Sequence, residues 1–296
     1  MKPRHILLLG VLVALPVVAC AEVMNALEQA TDENTAEGKL IRGANRLRKS
    51  FQDLDPSEEH YIGRSVAAQI LAMPAYPLLK DDAVQAYVDR VGQAVVLTND
   101  GVRHTFLDYR FAVLDSNEVN AFACPGGLIL VTRGLLAKTT SEDELAAVLA
   151  HEVAHVTLRH GLQAIQQSNL ASAFLYLGEG AAQATMKPED LQKLTGVFDD
   201  SVKDIVKTLI TSGYSREAEA AADQLGRTFL AGTGYDPQAL GRVLARMQEA
   251  GGEGGMFATH PAPKDRMDSL GAPLAHAGDA AAEAQRLARY RQNLKL

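Results

Sequence analysis

The sequence of 296 residues is poor in cysteine and in aromatic side chains, and it has no excess of positive charge. Its two cysteines do not form a zinc-finger spacing, and the aromatic residues, 5% of the chain, do not alternate with basic ones. A formal net charge of −7 disfavours a surface that binds phosphate groups. These absences exclude nucleic acid from the expected partners.

Long hydrophobic runs are also missing, apart from one near the start of the chain. Lys2 and Arg4 precede the apolar stretch 6–19, which glycine and proline interrupt and which ends at Cys20. The stretch is too short to span a bilayer comfortably, so it predicts an export signal over residues 1–20. Its last residues, VVAC, resemble the lipobox of bacterial lipoproteins, which predicts acylation of Cys20.

The predicted location follows from this signal. Acylation at Cys20 would anchor a periplasmic protein to a membrane, and the resemblance to bacterial lipoproteins implies the outer membrane, because Ala21 follows the cysteine. Cleavage after ACA, residues 19–21, is the alternative and would give a soluble periplasmic protein. With Cys20 acylated, Cys124 is the one remaining cysteine, so we expect no internal disulfide and a buried, apolar role for Cys124.

The chain does contain enough apolar material for a folded core, since 47% of it is hydrophobic and 22% charged, as in ordinary globular proteins. We predict a helical lead-in over 21–54, a catalytic-type domain over 55–275 and a C-terminal helix over 276–296. Helical patterns dominate the domain, but a period of two predicts short strands at 111–114, 119–123 and 128–131, the last two joined by a turn at CPGG. The expected fold is α+β, mostly helical around a small β-sheet.

Segment 141–161 has the signals of one helix. Ser141 and Glu144 have the spacing of a capping box, and Gly161 is typical of a residue that follows a helix end. We therefore predict a helix over about 142–160. His160 is interpreted as a cation at its C-terminus.

Within this helix, the sequence HEVAH places His151 and His155 four residues apart, about 40 degrees from each other around the axis. Two such imidazoles can converge on one metal ion, and the adjacent Glu152 can take a proton from water that the metal makes more acidic. Chance produces this pattern in about 1% of chains of this length, and two core histidines are the alternative. Apolar residues on the same side favour the metal site, because buried imidazoles need partners.

A zinc site needs a third protein ligand and an open position for water. The segment YSREAEAAADQLG, 214–226, places Glu219 and Asp223 on one helical face. We interpret Glu219 as the third ligand and Asp223 as the carboxylate that accepts the free ring proton of a ligand histidine. The alternative is two acids on a solvated helix, which the neighbouring alanines disfavour because they allow close helix packing.

Four motifs in a fixed order carry a resemblance to a known family. They are NAFACPGGLILVTRGLL (120–136), HEVAH (151–155), SREAEAAAD (215–223) and THPAPKDR (259–266). Over about residues 55–270 the chain resembles the zinc metallopeptidases of the HtpX, BepA and prenyl-protein protease type, peptidase family M48. This resemblance implies a zincin fold of the gluzincin type.

The resemblance also implies roles for particular residues. It implies one Zn²⁺ on His151, His155 and Glu219, with Glu152 as general base and Asp223 in support. It points to His260 as a residue that approaches the metal or stabilises the oxyanion. Because His260 follows the glycine-rich tract 251–255, one hypothesis is that it occupies the water position in a resting state.

The strand before the CPGG turn is the expected sheet edge nearest the zinc. A substrate peptide could add to its exposed backbone through main-chain hydrogen bonds. The residues concerned are Asn120, Ala121, Phe122 and Ala123. Plain strand packing is the alternative.

These features together predict a zinc-dependent endopeptidase of the bacterial cell envelope, and the resemblance implies unfolded or misfolded envelope proteins as substrates. The alternative is a non-catalytic, metal-stabilised chaperone or assembly factor, against which the intact Glu152 argues. Membrane association through the lipid anchor is expected. The sequence does not predict the oligomeric state.

Overall fold

A computed structural model of the protein describes residues 56–165, 199–200, 202–250, 259–260, 262–274 and 278–295. All of them belong to one compact unit, which spans 54–168 and 198–296. The predicted signal peptide, the lead-in and Cys20 lie outside the described residues, so the division into these segments stays a prediction.

Helices dominate the described part of the chain. Five of them begin at a side chain that accepts hydrogen bonds from the first turn, which explains why they start where they do: Asp81, Thr132, Ser141, Ser215 and Asp279. The helices are α1 (Pro56–Leu71), α2 (Asp82–Leu97), α3 (Arg133–Leu136), α4 (Glu142–Thr157), α5 (His160–Ile165), α6 (Arg216–Thr233), α7 (Ala239–Ala250), α8 (Pro263–Ser269) and α9 (Ala280–Asn293). Residues 202–207 are also helical and continue into a π-helical turn, Thr208–Ser212.

A three-stranded mixed sheet completes the described fold. Its strands are β1 (Arg110–Leu114), β2 (Ala121–Cys124) and β3 (Leu128–Thr132), in the order β1-β3-β2. β3 pairs in parallel with β1 and antiparallel with β2. The prediction of a mostly helical α+β fold is therefore confirmed, and the strands lie within two residues of their predicted positions.

The turn between β2 and β3 needs its two glycines. Gly126 and Gly127 have φ values of 74° and 95°, which residues other than glycine rarely adopt. A Cβ on Gly126 would lie 2.6 Å from the His60 Cα, so α1 packs directly against this turn.

Helix α4 lies at the centre of the unit. Every residue from Glu142 to Val156 is buried, because α2, α6, α7, α9 and β2 surround it. This helix ends earlier than predicted. It stops at Thr157, and Arg159, with a φ of 58°, reverses the chain so that His160 begins α5.

Gly161 is consequently not a helix cap. It lies inside α5, where a Cβ would lie 3.3 Å from the Pro125 ring. Glycine is needed at position 161 because a larger residue would crowd Pro125. Its backbone does not have the left-handed conformation of a helix cap.

The N-terminus of α4 carries three buried acids whose partners come from distant helices. Arg289 of α9 binds Glu142 at 2.6 Å, Arg286 binds Asp143 at 2.9 Å, and Arg246 of α7 binds Glu144 at 2.7 Å. Acids at this end also interact favourably with the helix dipole. These contacts fasten α7 and α9 to the helix that carries HEVAH.

Within the described ranges, no helix combines the length and the apolar character needed to cross a membrane.

Candidate metal centre

Helix α4 brings the two histidines of HEVAH together in the core. The Nε2 atoms of His151 and His155 lie 3.0 Å apart, and each residue is only 1% exposed. Their rings meet edge to face, with an interplanar angle of 83°. The two Nε2 atoms thus face one common point.

Helix α6 adds a carboxylate to this point. Glu219 places Oε2 3.5 Å from Nε2 of His151 and Oε1 3.4 Å from Nε2 of His155. The close approach of α6 to α4 depends on Gly226, where a Cβ would lie 3.1 Å from the His151 backbone nitrogen. Burial opposes ionisation of Glu219, but the imidazoles around it hold its pKa far below the ordinary value, so it is a carboxylate.

His260 joins the same cluster. Its Nδ1 lies 2.8 Å from both carboxylate oxygens of Glu219, and the residue is buried. His151, His155, Glu219 and His260 each offer one donor atom, and these atoms all lie within 4.8 Å of one another.

The donor set fits a zinc-type ion. Bonds of about 2.0–2.1 Å to a tetrahedral ion separate two ligands by about 3.3 Å. The separations of 3.0–3.5 Å among the two Nε2 atoms and the Glu219 oxygens bracket this value. Two imidazoles and a carboxylate are also the chemistry that such ions take in hydrolytic sites.

Asp223 and Arg266 support one of the histidines. Asp223 Oδ1 lies 2.8 Å from His151 Nδ1, and Arg266 Nε donates to Asp223 Oδ2 at 3.0 Å. Burial would raise the pKa of Asp223, but Arg266 and His151 hold it well below the usual range. The carboxylate therefore stays charged and accepts a hydrogen bond from the Nδ1–H of His151. This hydrogen bond orients the Nε2 lone pair of His151 towards the cluster.

His160 contacts the other histidine, which corrects its interpretation as a helix-terminal cation. It is 5% exposed, and its Nδ1 lies 2.8 Å from Nδ1 of His155. Burial lowers the pKa of His160 to about 4, so the ring is neutral at physiological pH. The chain reversal at Arg159 is the physical reason, because a continued helix would have turned the ring away.

Glu152 is buried beside the cluster and incompletely bonded. It is 1% exposed, and its Oε1 has no hydrogen-bond partner among the described residues. Burial raises the pKa of its carboxyl above the ordinary value, which suits a group that must take up a proton near neutral pH. It lines a small cavity together with Ala121, Ala123, Tyr214 and His260.

This constellation agrees with a comparison of the sequence with known families, in which residues 82–274 match the model of Peptidase family M48. The chain belongs to peptidase family M48.

Relatives of this M48 chain carry protease names. It is 30% identical over 198 residues to the beta-barrel assembly-enhancing protease of Yersinia pestis, a match that covers 64% of the chain and 39% of the relative. It is 27% identical over 233 residues to the mitochondrial metalloendopeptidase OMA1 of Schizosaccharomyces pombe, covering 75% of the chain and 63% of the relative. To the OMA1 of Arabidopsis thaliana it is 32% identical over 166 residues, covering 55% of the chain and 31% of the relative.

The matched segment is a metallopeptidase domain, and the buried His and Glu group within it could bind a metal. The chain spans 39% of the length of the beta-barrel assembly-enhancing proteases that it matches. The family assignment therefore applies to the metallopeptidase domain of the chain and not to the full length of these relatives.

Strand β2 lies at the edge of the sheet beside the M48 site, but it is not exposed as expected. Asn120 is 1% exposed, and every residue of β2 is buried. The π-helical turn Thr208–Ser212 contacts β2, and the Thr259 hydroxyl lies 3.4 Å from the Asn120 side-chain oxygen. The π-helical turn and Thr259 therefore cover the strand of the M48 domain.

Two residues that contact the M48 cluster were missed by the sequence reasoning. Arg266 ends the THPAPKDR motif, so its place in the motif was a usable signal. Tyr214 precedes the SREAEAAAD motif; its ring stacks on His155 with centroids 4.5 Å apart, and its hydroxyl has no partner among the described residues.

Proposed function

We propose that the protein is a zinc-dependent endopeptidase of the bacterial cell envelope that cleaves unfolded or misfolded envelope proteins. The observation that carries the proposal is the Glu152 carboxylate, whose Oε1 is buried without a partner beside four metal-donor atoms. A site that served stability alone would need no such free carboxylate, because burying an unsatisfied charge is costly.

His151, His155 and Glu219 would hold the ion. When bound, Zn²⁺ supplies Lewis acidity, which polarises a substrate carbonyl and makes water more acidic. The supporting contacts of these ligands keep their lone pairs directed to one point, which favours binding without reorganisation.

Glu152 acts as the general base in the proposed reaction. Its Oε1 accepts a proton from the water that attacks the scissile carbonyl, and the same carboxyl then donates a proton to the leaving amine. His260 is proposed as a fourth donor in the closed state of the domain, in keeping with its place in the donor group. Stabilisation of the oxyanion by His260 would instead require it to remain near the carbonyl during turnover.

Substrate peptides are proposed to bind beside β2. Ala121 and Ala123 line the cavity that also contains Glu152, so a strand added next to them would bring its carbonyl to the site. Because β2 is covered, the π-helical turn Thr208–Ser212 and Thr259 would have to move before a peptide can pair with it.

The N-terminal sequence and the names of relatives support the proposed envelope location and substrates. The export signal and lipobox pattern favour a periplasmic protein anchored to the outer membrane through Cys20, with a soluble periplasmic form as the alternative. The name of the beta-barrel assembly-enhancing relatives is consistent with a role in protein quality control in that compartment.

Hydrolysis of unfolded casein tests the proposal. The wild-type protein is expected to produce fragments, detected by mass spectrometry, and a chelator is expected to stop their formation. Glu152→Gln should lose at least about 1,000-fold in rate while retaining about one zinc per chain in elemental analysis, because the base is lost and the ligands remain. The matched control, Glu217→Gln, makes the same change at an exposed carboxylate two residues before Glu219 and should cleave at the wild-type rate.

Fragments from Glu152→Gln at the wild-type rate, or a wild-type protein that holds zinc and cleaves nothing, would contradict the proposal. The second outcome would favour a metal-stabilised assembly factor. The cellular role of such a factor does not need a general base, so it would be retained in Glu152→Gln.

A further inference from the structure

Among the residues that the structure describes, His155 has one side-chain contact that can fix the position of the proton on its ring. Its Nε2 points to the metal donors, 3.0 Å from Nε2 of His151 and 3.4 Å from Oε1 of Glu219. Its Nδ1 lies 2.8 Å from Nδ1 of His160 and has no other hydrogen bond among the described residues. The state of the His155 ring therefore depends on His160.

The chemistry of imidazole decides which nitrogen donates. His155 can offer a lone pair at Nε2 only when its proton is on Nδ1. That proton can then be donated to Nδ1 of His160, which must accept through its own lone pair and carry its proton on Nε2. The contact of 2.8 Å thus fits one pair of tautomers, and in this pair both rings are neutral.

A break in the helix at Arg159 places His160 in this position. In an uninterrupted helix, a residue five positions after His155 would lie about 140 degrees away around the axis. The left-handed conformation of Arg159, with a φ of 58°, breaks the helix and returns the next ring to His155. Arg159 in turn lies 3.6 Å from the buried Glu59 carboxylate of α1.

The two histidines of HEVAH consequently have different supports. Asp223, a carboxylate paired with Arg266, holds His151, whereas a neutral imidazole holds His155. The site already contains the carboxylates of Glu152 and Glu219, so a second charged support would add uncompensated negative charge to a buried volume.

We propose that His160 is a positioning residue that fixes the tautomer and the ring orientation of His155 through the Nδ1–Nδ1 hydrogen bond and thereby sets the metal affinity of the site. This inference rests on the proposed metal-binding function. It assigns to the hydrogen bond an effect separate from that of the Tyr214 ring, which packs on the face of His155 at a centroid distance of 4.5 Å.

Two substitutions separate the hydrogen bond from packing. In His160→Asn the side-chain oxygen can occupy nearly the position of the His160 Nδ1 and still accept the hydrogen bond from the Nδ1–H of His155. In His160→Leu the side chain has similar bulk but no acceptor. His104→Leu, at an exposed histidine, controls for the general loss of an imidazole.

The measurements are zinc affinity, by competition with a chromophoric chelator, and the visible absorption spectrum of the Co²⁺-substituted protein. We expect His160→Leu to weaken zinc binding about 10- to 100-fold and to alter the Co²⁺ bands. We expect His160→Asn to remain within about threefold of the wild type and His104→Leu to show no change. Circular dichroism of the metal-free variants establishes that each is folded.

Equal affinity of the wild type and both His160 variants would overturn the inference. So would an Asn variant as weak as the Leu variant while both are folded, because packing alone would then explain the loss. A failure of the proposed protease function is distinguishable, since it would appear as a wild type that binds zinc with the expected dependence on His160 but leaves casein intact.

Discussion

At the residue scale, the site shows how much of its chemistry depends on contacts between buried polar groups. The sequence pattern indicated that His151, His155, Glu219 and Asp223 share one site, and the structure brings their side chains together. Helical spacing made this possible, because residues four apart share a face. The contacts of Arg266 and His160 were not predicted, since one reaches the site from the short helix α8 and the other through a backbone reversal.

Arg266 is the cation that allows Asp223 to remain ionised in the core. It donates to both oxygens of Asp223 and is 3% exposed. Arg266→Met leaves a buried charge without its partner, so we expect the metal-free protein to lose about 3–5 kcal/mol of its free energy of unfolding. Urea denaturation in the presence of chelator measures this loss.

A control for this experiment is available on the surface. Arg216, whose side chain is 79% exposed, pairs with Asp265 at 3.4 Å. Arg216→Met should cost less than about 1 kcal/mol. Similar losses in the free energy of unfolding of the two variants would mean that the buried Arg266–Asp223 pair stabilises the protein no more than the exposed pair does.

Cys124 is predicted to be unreactive in the folded protein. It is fully buried in β2, which agrees with the expectation from sequence, and burial raises the pKa of its thiol to about 12. Since the thiolate is the reactive form and this pKa lies well above pH 8, the folded protein holds Cys124 as the unreactive thiol. Maleimide labelling followed by peptide mass spectrometry should modify Cys124 only after denaturation, and rapid labelling of the native protein would show that β2 opens readily.

At the element scale, the position of α6 against α4 determines whether the ligands meet. At Gly226 the two helices approach closely, and the missing side chain lets Glu219 reach the two histidines. Sequence periodicity located both helices, but it could not show the end of α4. Gly161 has the appearance of a helix cap, whereas the actual reversal is at Arg159, a residue with no intrinsic preference for a positive φ.

Substitution of Gly226 is expected to move these two helices apart. Gly226→Val adds a branched side chain where a single Cβ would already lie 3.1 Å from the His151 backbone. Overpacking of this kind costs about 1–3 kcal/mol, and we expect it to lower zinc occupancy as well. Thermal unfolding and elemental analysis measure the two effects.

The matched control is the helical Gly241 of α7. A Cβ there would meet Leu270 Cδ1 at 3.6 Å, an ordinary van der Waals distance. Gly241→Val should therefore be neutral or slightly stabilising, because valine has the higher helix propensity. A Gly226 variant with wild-type stability and zinc content would show that α6 can shift without consequence for the site.

At the scale of the whole molecule, the C-terminal part of the chain fastens the helix that carries the site. Arg286 and Arg289 of α9 pair with Asp143 and Glu142, and Tyr290 donates to the Thr139 carbonyl oxygen at 2.7 Å. The sequence predicted a helix in this region. It could not predict the partners of the arginines, which lie more than 140 residues earlier in the chain.

Removal of residues 278–296 is expected to destabilise the whole domain. It would leave the carboxylates of Glu142 and Asp143 in the core without their arginine partners, at a cost of about 3 kcal/mol or more. For a domain of this size, that loss lowers Tm by roughly 6–12 °C. A shorter deletion, of residues 295–296, serves as the control in differential scanning calorimetry, and equal Tm values for the two truncations would contradict the expectation.

The long separation between the parts of the metal centre has a consequence for how the protein matures. Arg266 lies 115 residues after His151, and His260 lies 41 residues after Glu219. A chain that has formed only α4 offers two imidazoles, which retain an ion weakly. Hydrolytic activity then arises only in molecules that have completed their own folding, which keeps newly made copies from cleaving one another.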